Sequence, residues 1–450
     1  MSNSQQAVNP TDFFIEKLEI IGKYPNGSDF SYDVSSIFEE LSIFDNMFVS
    51  CMSGNIVIRD GLGMIDSLSL DGNEFIHIKI KKVNAEEEIE ELSFDKRFRI
   101  HKVQNRTNVS ATAQIYTLHF TSEEHLLSEN TKEQKYYKGT YSSIAEKILN
   151  TLNGPKIYKP YWVESLGIHH IVIPNLTPFQ GIDWIARRAI WQNKKPDFVF
   201  FEIKHGYCFA SLSRLFDYPT SYKINFFWKD MKGNKLGTEL FGARDLKIVS
   251  QFTVLESLMS GVYGGTFVGF DTLTRTYKEN VFTFSNLYQL GKEHHANPYP
   301  NIPLTKKLPE IKNDMLPTEE FKKSRVTTYP FSYPRTTQEG EYVKEFNPEL
   351  ALMDDNTHEY VFQRKHFFGN LAMKRLQLTM PGNFALYTGI MVELDVPKYT
   401  GANYENDVSV DSRDIEFSGR YIITGVRHTI KYDRHETLIE VASDSSIKQK

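Results

Sequence analysis

Cysteine is nearly absent: Cys51 and Cys208 are the two in 450 residues. So sparse a pair excludes a disulfide framework and fits assembly in a reducing compartment. Long apolar runs are missing as well, and none approaches the roughly 20 residues that a membrane-spanning helix needs. Residues 1–6 have neither the basic start nor the apolar centre of a secretory signal. The product is therefore expected to be soluble and intracellular when made, with no stable membrane insertion. Positive charge is not in excess either. A net charge of −5 offers no basic field to hold nucleic acid.

Catalytic grammar is equally scarce. No H-E-x-x-H, paired C-x-x-C or G-x-S-x-G occurs. His169 with His170, and His294 with His295, are adjacent pairs, and neighbours in a strand face opposite sides, the wrong geometry for sharing a metal. Asp354 and Asp355 are candidate carboxylates, but Asn356 beside them marks a turn-like, exposed stretch. The acidic run from Glu86 to Glu91, interrupted by Ile89, reads as a solvated loop between strands rather than a cation site. Glycines crowd the stretch from Gly261 to Asp271, yet it lacks the G-K-[ST] ending of a phosphate loop and no helix start follows. Bends and bulges in a strand account for it better. The expectation is a chain with no catalytic residue, no metal and no cofactor: not an enzyme.

What is present is a strand-rich chain. Apolar and charged fractions of 40% and 24% are ordinary for globular proteins, and 13% aromatics suit β structure. The length allows two to four domains. Between residues 373 and 443 period-two alternation gives four strands, at 373–380, 390–396, 421–426 and 437–441, bounded by Pro381, Gly382, Asn383 and Gly389.

Much of this segment is written twice. Gly72 precedes a strand with Ile76, Ile78 and Ile80, as Gly389 precedes Val392, Leu394 and Val396. The apolar pattern of 98–103 matches that of 421–426, and 116–122 matches 437–443. The order is the same in both copies. Two related small antiparallel β-barrels in one chain, carrying different loops, explain it.

The remaining regions differ in kind. Residues 1–47 read as an N-terminal extension whose first ordered element is near 13–21, and 48–122 as the first barrel. An α+β insertion over 123–217 has a helix start with capping-box spacing at Ser143 and Glu146. A second start, at Thr177, Pro178 and Gln180, has its buried face on Phe179, Ile182, Ile185 and Ala189. Strands at 198–203 and 208–212 flank a hairpin turn over 204–207. Residues 218–285 are assigned to the first part of the second barrel. Those from 286 to 358 form an extended excursion punctuated by proline, and 359–450 complete the second barrel after a helix near 360–371.

Four fragments in this order carry a family resemblance: TPFQGIDWI (177–185), FFEIKHGYCFASL (200–212), Pro381 to Asn383 with Gly389, and GRYIITGVRH (419–428). Over roughly 48–443 the chain resembles the baseplate hub of contractile-tailed phages, whose fold is shared by the hub portion of type VI secretion spike proteins. The resemblance implies tube-like barrels and a homotrimer with pseudo-sixfold symmetry. Its partners would be the hexameric tail tube protein, the trimeric central spike and other baseplate proteins. Double-stranded DNA would pass through the lumen unbound, and net negative charge suits such a conduit. The site would be the phage tail baseplate of the virion. Two alternatives are a secretion or contractile injection hub without DNA passage, and a glycan-binding or glycan-cleaving tail protein with opposed carboxylates in a groove.

Overall fold

The computed structural model describes residues 13–24, 27–68, 70–81, 92–110, 112–192, 195–226, 241–271, 276–289, 294–301, 325–330, 357–398 and 413–447. Strands β1 (Phe14–Lys23), β2 (Asp29–Asp33), β3 (Phe38–Asn46), β4 (Ser53–Asp60), β5 (Phe75–Lys81), β6 (Phe94–Asn108) and β7 (Gln114–Thr121) come first, with helix α1 (Met64–Leu68) after β4. A mixed module follows: α2 (Glu123–Glu129), β8 (Tyr136–Gly139), α3 (Tyr141–Leu149), β9 (Ile157–Trp162), β10 (His169–Val172), α4 (Pro178–Ala186), β11 (Phe198–Ile203), β12 (Gly206–Ser211) and α5 (Leu212–Phe216). Next are β13 (Tyr222–Phe226), β14 (Gly242–Ala243), β15 (Asp245–Ser250), α6 (Val254–Ser260), β16 (Gly264–Asp271), β17 (Thr276–Thr283), α7 (Phe284–Gln289), β18 (Tyr299–Pro300) and β19 (Val326–Pro330). The chain ends with α8 (Thr357–Met373), β20 (Arg375–Pro381), β21 (Met391–Asp395), β22 (Gly419–Lys431), β23 (Arg434–Ala442) and β24 (Ser445–Ser446).

Two barrels emerge from these strands. In the first, β5, β6, β7 and β4 are successive antiparallel neighbours and β1 flanks β5. One segment closes it, because β2 pairs with β1 and β3 pairs with β4. In the second, β21, β22, β23 and β20 repeat that antiparallel order and β13 flanks β21. Residues 242–250 close it in the same way, β14 on β13 and β15 on β20.

The correspondence holds residue by residue. Arg99 pairs with Phe75 and Thr121, and its counterpart Ile422 pairs with Met391 and Ala442. A register shift falls between Ile100 and Lys102 in one copy and between Ile423 and Gly425 in the other. Slipping a strand by one residue would turn its core side chains to solvent, so a shared bulge is a demanding match. Ile76, Ile78 and Ile80 fill one core, and Val392, Leu394 and Val396 fill the other. Burying each such side chain contributes about 1.5–3 kcal/mol. Volume is conserved across the copies too. Cross-strand partners Gly54 and Phe120 occupy the place of Leu376 and Val441, and the Phe120 ring lies where a Cβ on Gly54 would be.

Several boundaries differ from those read in the sequence. Residues 14–46 are not an extension outside the first barrel, because β1 to β3 flank and close it. The second barrel receives only 222–250 from its assigned first part. Beyond that, β16, with β17 and β19 on either side, makes a separate sheet. The glycine-rich stretch is thus a strand. A Cβ on Gly265 would strike the Phe362 ring of α8 and the Arg325 carbonyl, and Gly261 caps α6 in the left-handed conformation. Of the proline-punctuated region, β18 pairs with β24 and β19 with β16. Its remainder lies largely outside the described residues.

The module is built on signals the sequence displays. Thr177 and Gln180 form the capping box of α4 with Pro178 in the first turn. The α3 cap is Thr140 rather than Ser143, which is the residue whose backbone N–H Thr140 accepts. Strands β11 and β12 pair down to Ile203 and Gly206, so their turn is two residues rather than four. Gly206 has φ +137°, and its missing Cβ admits the Lys156 carbonyl.

Candidate assembly interface

The two barrels are joined by a strand seam. In β22 residues Gly419 to Ile422 pair with β21, and Gly425 to Lys431 then pair antiparallel with Asn46 to Glu40 of β3. All fourteen strands of both barrels thereby become one sheet. Glu40 receives Arg427 and Lys431, each at 3.3 Å. Such exposed pairs are worth about 0–1 kcal/mol and chiefly fix register. At the other end of the seam Asp45 is buried, accepting bonds from the Thr388 backbone N–H (3.1 Å) and hydroxyl (2.5 Å). Burial pushes the Asp45 carboxyl up to about 7 against the pull of those two donors.

The module is clamped to both barrels. Glu202, the one acidic residue in β11, accepts from the Met52 backbone N–H (2.8 Å) and the Ser122 hydroxyl (2.5 Å) and pairs with Lys96 of β6. On the other side the Tyr161 hydroxyl donates to the Gly389 carbonyl, and Arg420 donates to the carbonyls of Phe216 and Tyr218. Gly389, at φ +89°, leaves room for the Tyr161 ring. From α8, Arg364 donates to the carbonyls of Pro196 and Phe198, and burial lowers its pKa to about 10, still cationic at neutral pH. It borders a cavity of about 620 Å³ lined also by Phe48, Asp183, Arg187 and Phe368.

Among the described residues, those singled out in the sequence do not converge on a reaction centre. His169 and His170 do face apart: His169 stacks on Tyr141 and bonds the Leu166 carbonyl, while His170 meets the Tyr136 hydroxyl. His294 pairs with Asp217, and His295 with buried Asp444 and the Tyr288 carbonyl. Asp354, Asp355 and the run from Glu86 to Glu91 lie outside the described residues. Among the described residues no group of three or more His, Cys, Asp or Glu is placed to hold a metal, and no helix is long and apolar enough to cross a membrane.

Sequence reasoning missed the seam itself. Leu41 and Ile43 alternate in β3, a signal present but assigned to an extension. Glu202 was marked only by standing alone among apolar neighbours.

Fold and seam define a class: a tandem-barrel protein whose strand edges join barrels side by side. Along 98% of this chain and 97% of the relative it is 21% identical to the probable baseplate hub protein gp334 of Vibrio phage KVP40. No family model matches. Similar solved structures include a tail protein from Neisseria meningitidis MC58 (TM-score 0.49, 12% identity, 95% of this chain and 96% of that one). Another is the 43 kDa tail protein of prophage MuSo2 from Shewanella oneidensis (TM-score 0.47, 7% identity, 95% and 98%). Over nearly its whole length the chain is thus similar to a probable phage baseplate hub protein.

Proposed function

We propose that this chain is the central hub of a phage tail baseplate, a structural and non-enzymatic virion component. Three copies form a ring whose six barrels imitate sixfold symmetry, so that a hexameric tail tube docks on one side and a trimeric spike on the other. DNA crosses the lumen without being held.

The observation that carries this reading is the duplicated barrel frame, bulge included, in a chain similar over nearly its whole length to a probable hub protein. One subunit with two equivalent units is what a threefold body needs to meet a sixfold one. Imaging the purified protein, alone and mixed with its tube subunit, tests it. A hollow ring with a threefold outline and a near-sixfold inner rim is expected; a solid monomer or a twofold particle would overturn it. The isolated protein is expected to show no glycan turnover or binding.

A further inference from the structure

The two copies of the frame differ at one matched pair of strands. In β22 the half beyond the bulge is covered by β3 along the edge that β21 leaves. Its counterpart in β6 pairs with β5 only as far as Arg99, and from Lys102 onward its sole described neighbour is β7. Likewise β3 has a strand on each edge, whereas its counterpart β15 pairs with β20 alone among the described residues.

Side chains record the same difference. Val426 is 4% exposed and its counterpart Val103 37%; Ile43 is fully buried and its counterpart Ile248 is 44% exposed. Every residue of β6 from His101 to Asn108 is exposed. Two edges open among the described residues, with apolar side chains and each the counterpart of an edge occupied within the chain, call for the same occupant.

We infer that β15 of one subunit pairs antiparallel with the outer half of β6 of the next, repeating between chains the seam that β3 and β22 form within one. The contact is head to tail: the first barrel's β6 meets β15 of the next subunit, whose own β22 meets its own β3. Contacts of that kind close into a ring when the rotation permits. The register can be transferred through the shared neighbours β7 and β20. It sets Thr107 opposite Lys247 and Asn108 opposite Leu246. This inference rests on the trimeric reading above and names the strands that make it.

The test is cross-linking of the full chain carrying Thr107→Cys and Lys247→Cys. Native Cys51 and Cys208 are buried and do not compete. Mild oxidation is expected to give covalent dimers and trimers, with neither single variant doing so. Val103→Asp, at a site exposed in the single chain, is expected to weaken trimer formation at least about tenfold while leaving the subunit's melting temperature unchanged. Native trimers that yield no cross-link at this pair or its neighbours, or that tolerate Val103→Asp, would overturn the strand pairing and leave the trimer standing. A chain that stays monomeric at every concentration would instead overturn the trimer.

Discussion

The two barrels share a frame and differ in what is hung on it. Six residues, 47–52, connect β3 to β4, whereas residues 251–374 separate their counterparts β15 and β20. That long insertion carries α6, the separate β16 sheet and α8, whose Arg364 reaches back to the module. The flanks differ too, since β1 runs antiparallel to β5 but β13 parallel to β21. What survived duplication is the ladder from β4 to β7, its bulge and its inward rows. What diverged is everything that meets something else. The frame is constrained by register and packing, while loops on its rim are free to take on partners.

The largest expected effect comes from removing one half of the comparison. Truncation after Gly419 deletes β22 to β24, and with them the seam to β3 and the second barrel's wall. Ring assembly, followed by native mass, is expected to be lost altogether. Trimers of the truncated chain would mean that the second barrel's closing strands are not needed.

Cutting the module from the first barrel ranks next. Glu202→Ala leaves Lys96 without its partner and the Met52 N–H and Ser122 hydroxyl without their acceptor. Breaking a buried pair from one side costs about 3–5 kcal/mol, read as a lower denaturant midpoint. A change below about 1 kcal/mol would place Glu202 among solvent-screened pairs.

Matched core deletions compare the barrels directly. Ile78→Ala and Leu394→Ala remove equivalent, fully buried side chains, and each is expected to destabilise by about 2–5 kcal/mol. If the frames are packed alike the two losses agree within about 1 kcal/mol; a much smaller loss at Leu394 would show a looser second core.

How much of this was legible beforehand follows from range. Alternation and turn residues are local, so 421–426 and its echo at 98–103 announced themselves, and the Thr177 capping box did too. The seam is not local: β3 and β22 lie hundreds of residues apart, and nothing in Leu41 or Ile43 names its partner. The same limit hid Glu202, whose donors Met52, Lys96 and Ser122 are distant in sequence and belong to another domain. It also hid the separate β16 sheet, because a strand pattern does not say which sheet it joins. The domain limits suffered most, since a closing strand such as β2 is short and begins in what reads as a tail.

The last expected effect is a pH slope at the seam, and it is read by difference. The folded Asp45 carboxyl titrates near 7, well above its ordinary 3.8. Between those values the folded state holds a proton that the unfolded state has released. Stability is therefore fullest below the lower value and falls as pH rises through the window, by at most about 1.4 kcal/mol per unit. Buried His428 and His366 act oppositely: burial lowers them to about 3 and about 4, so their neutral forms cost stability as pH falls below 6.5. Both histidines remain in Asp45→Asn, which keeps one side-chain acceptor for Thr388. Subtracting the variant's unfolding free energy from the wild type's, at each pH from 4.5 to 7.5, cancels the histidines. The difference is expected to decline steadily across that range and then level. A flat difference would mean that the Thr388 donors hold Asp45 ionised throughout. The seam would then contain a buried anion.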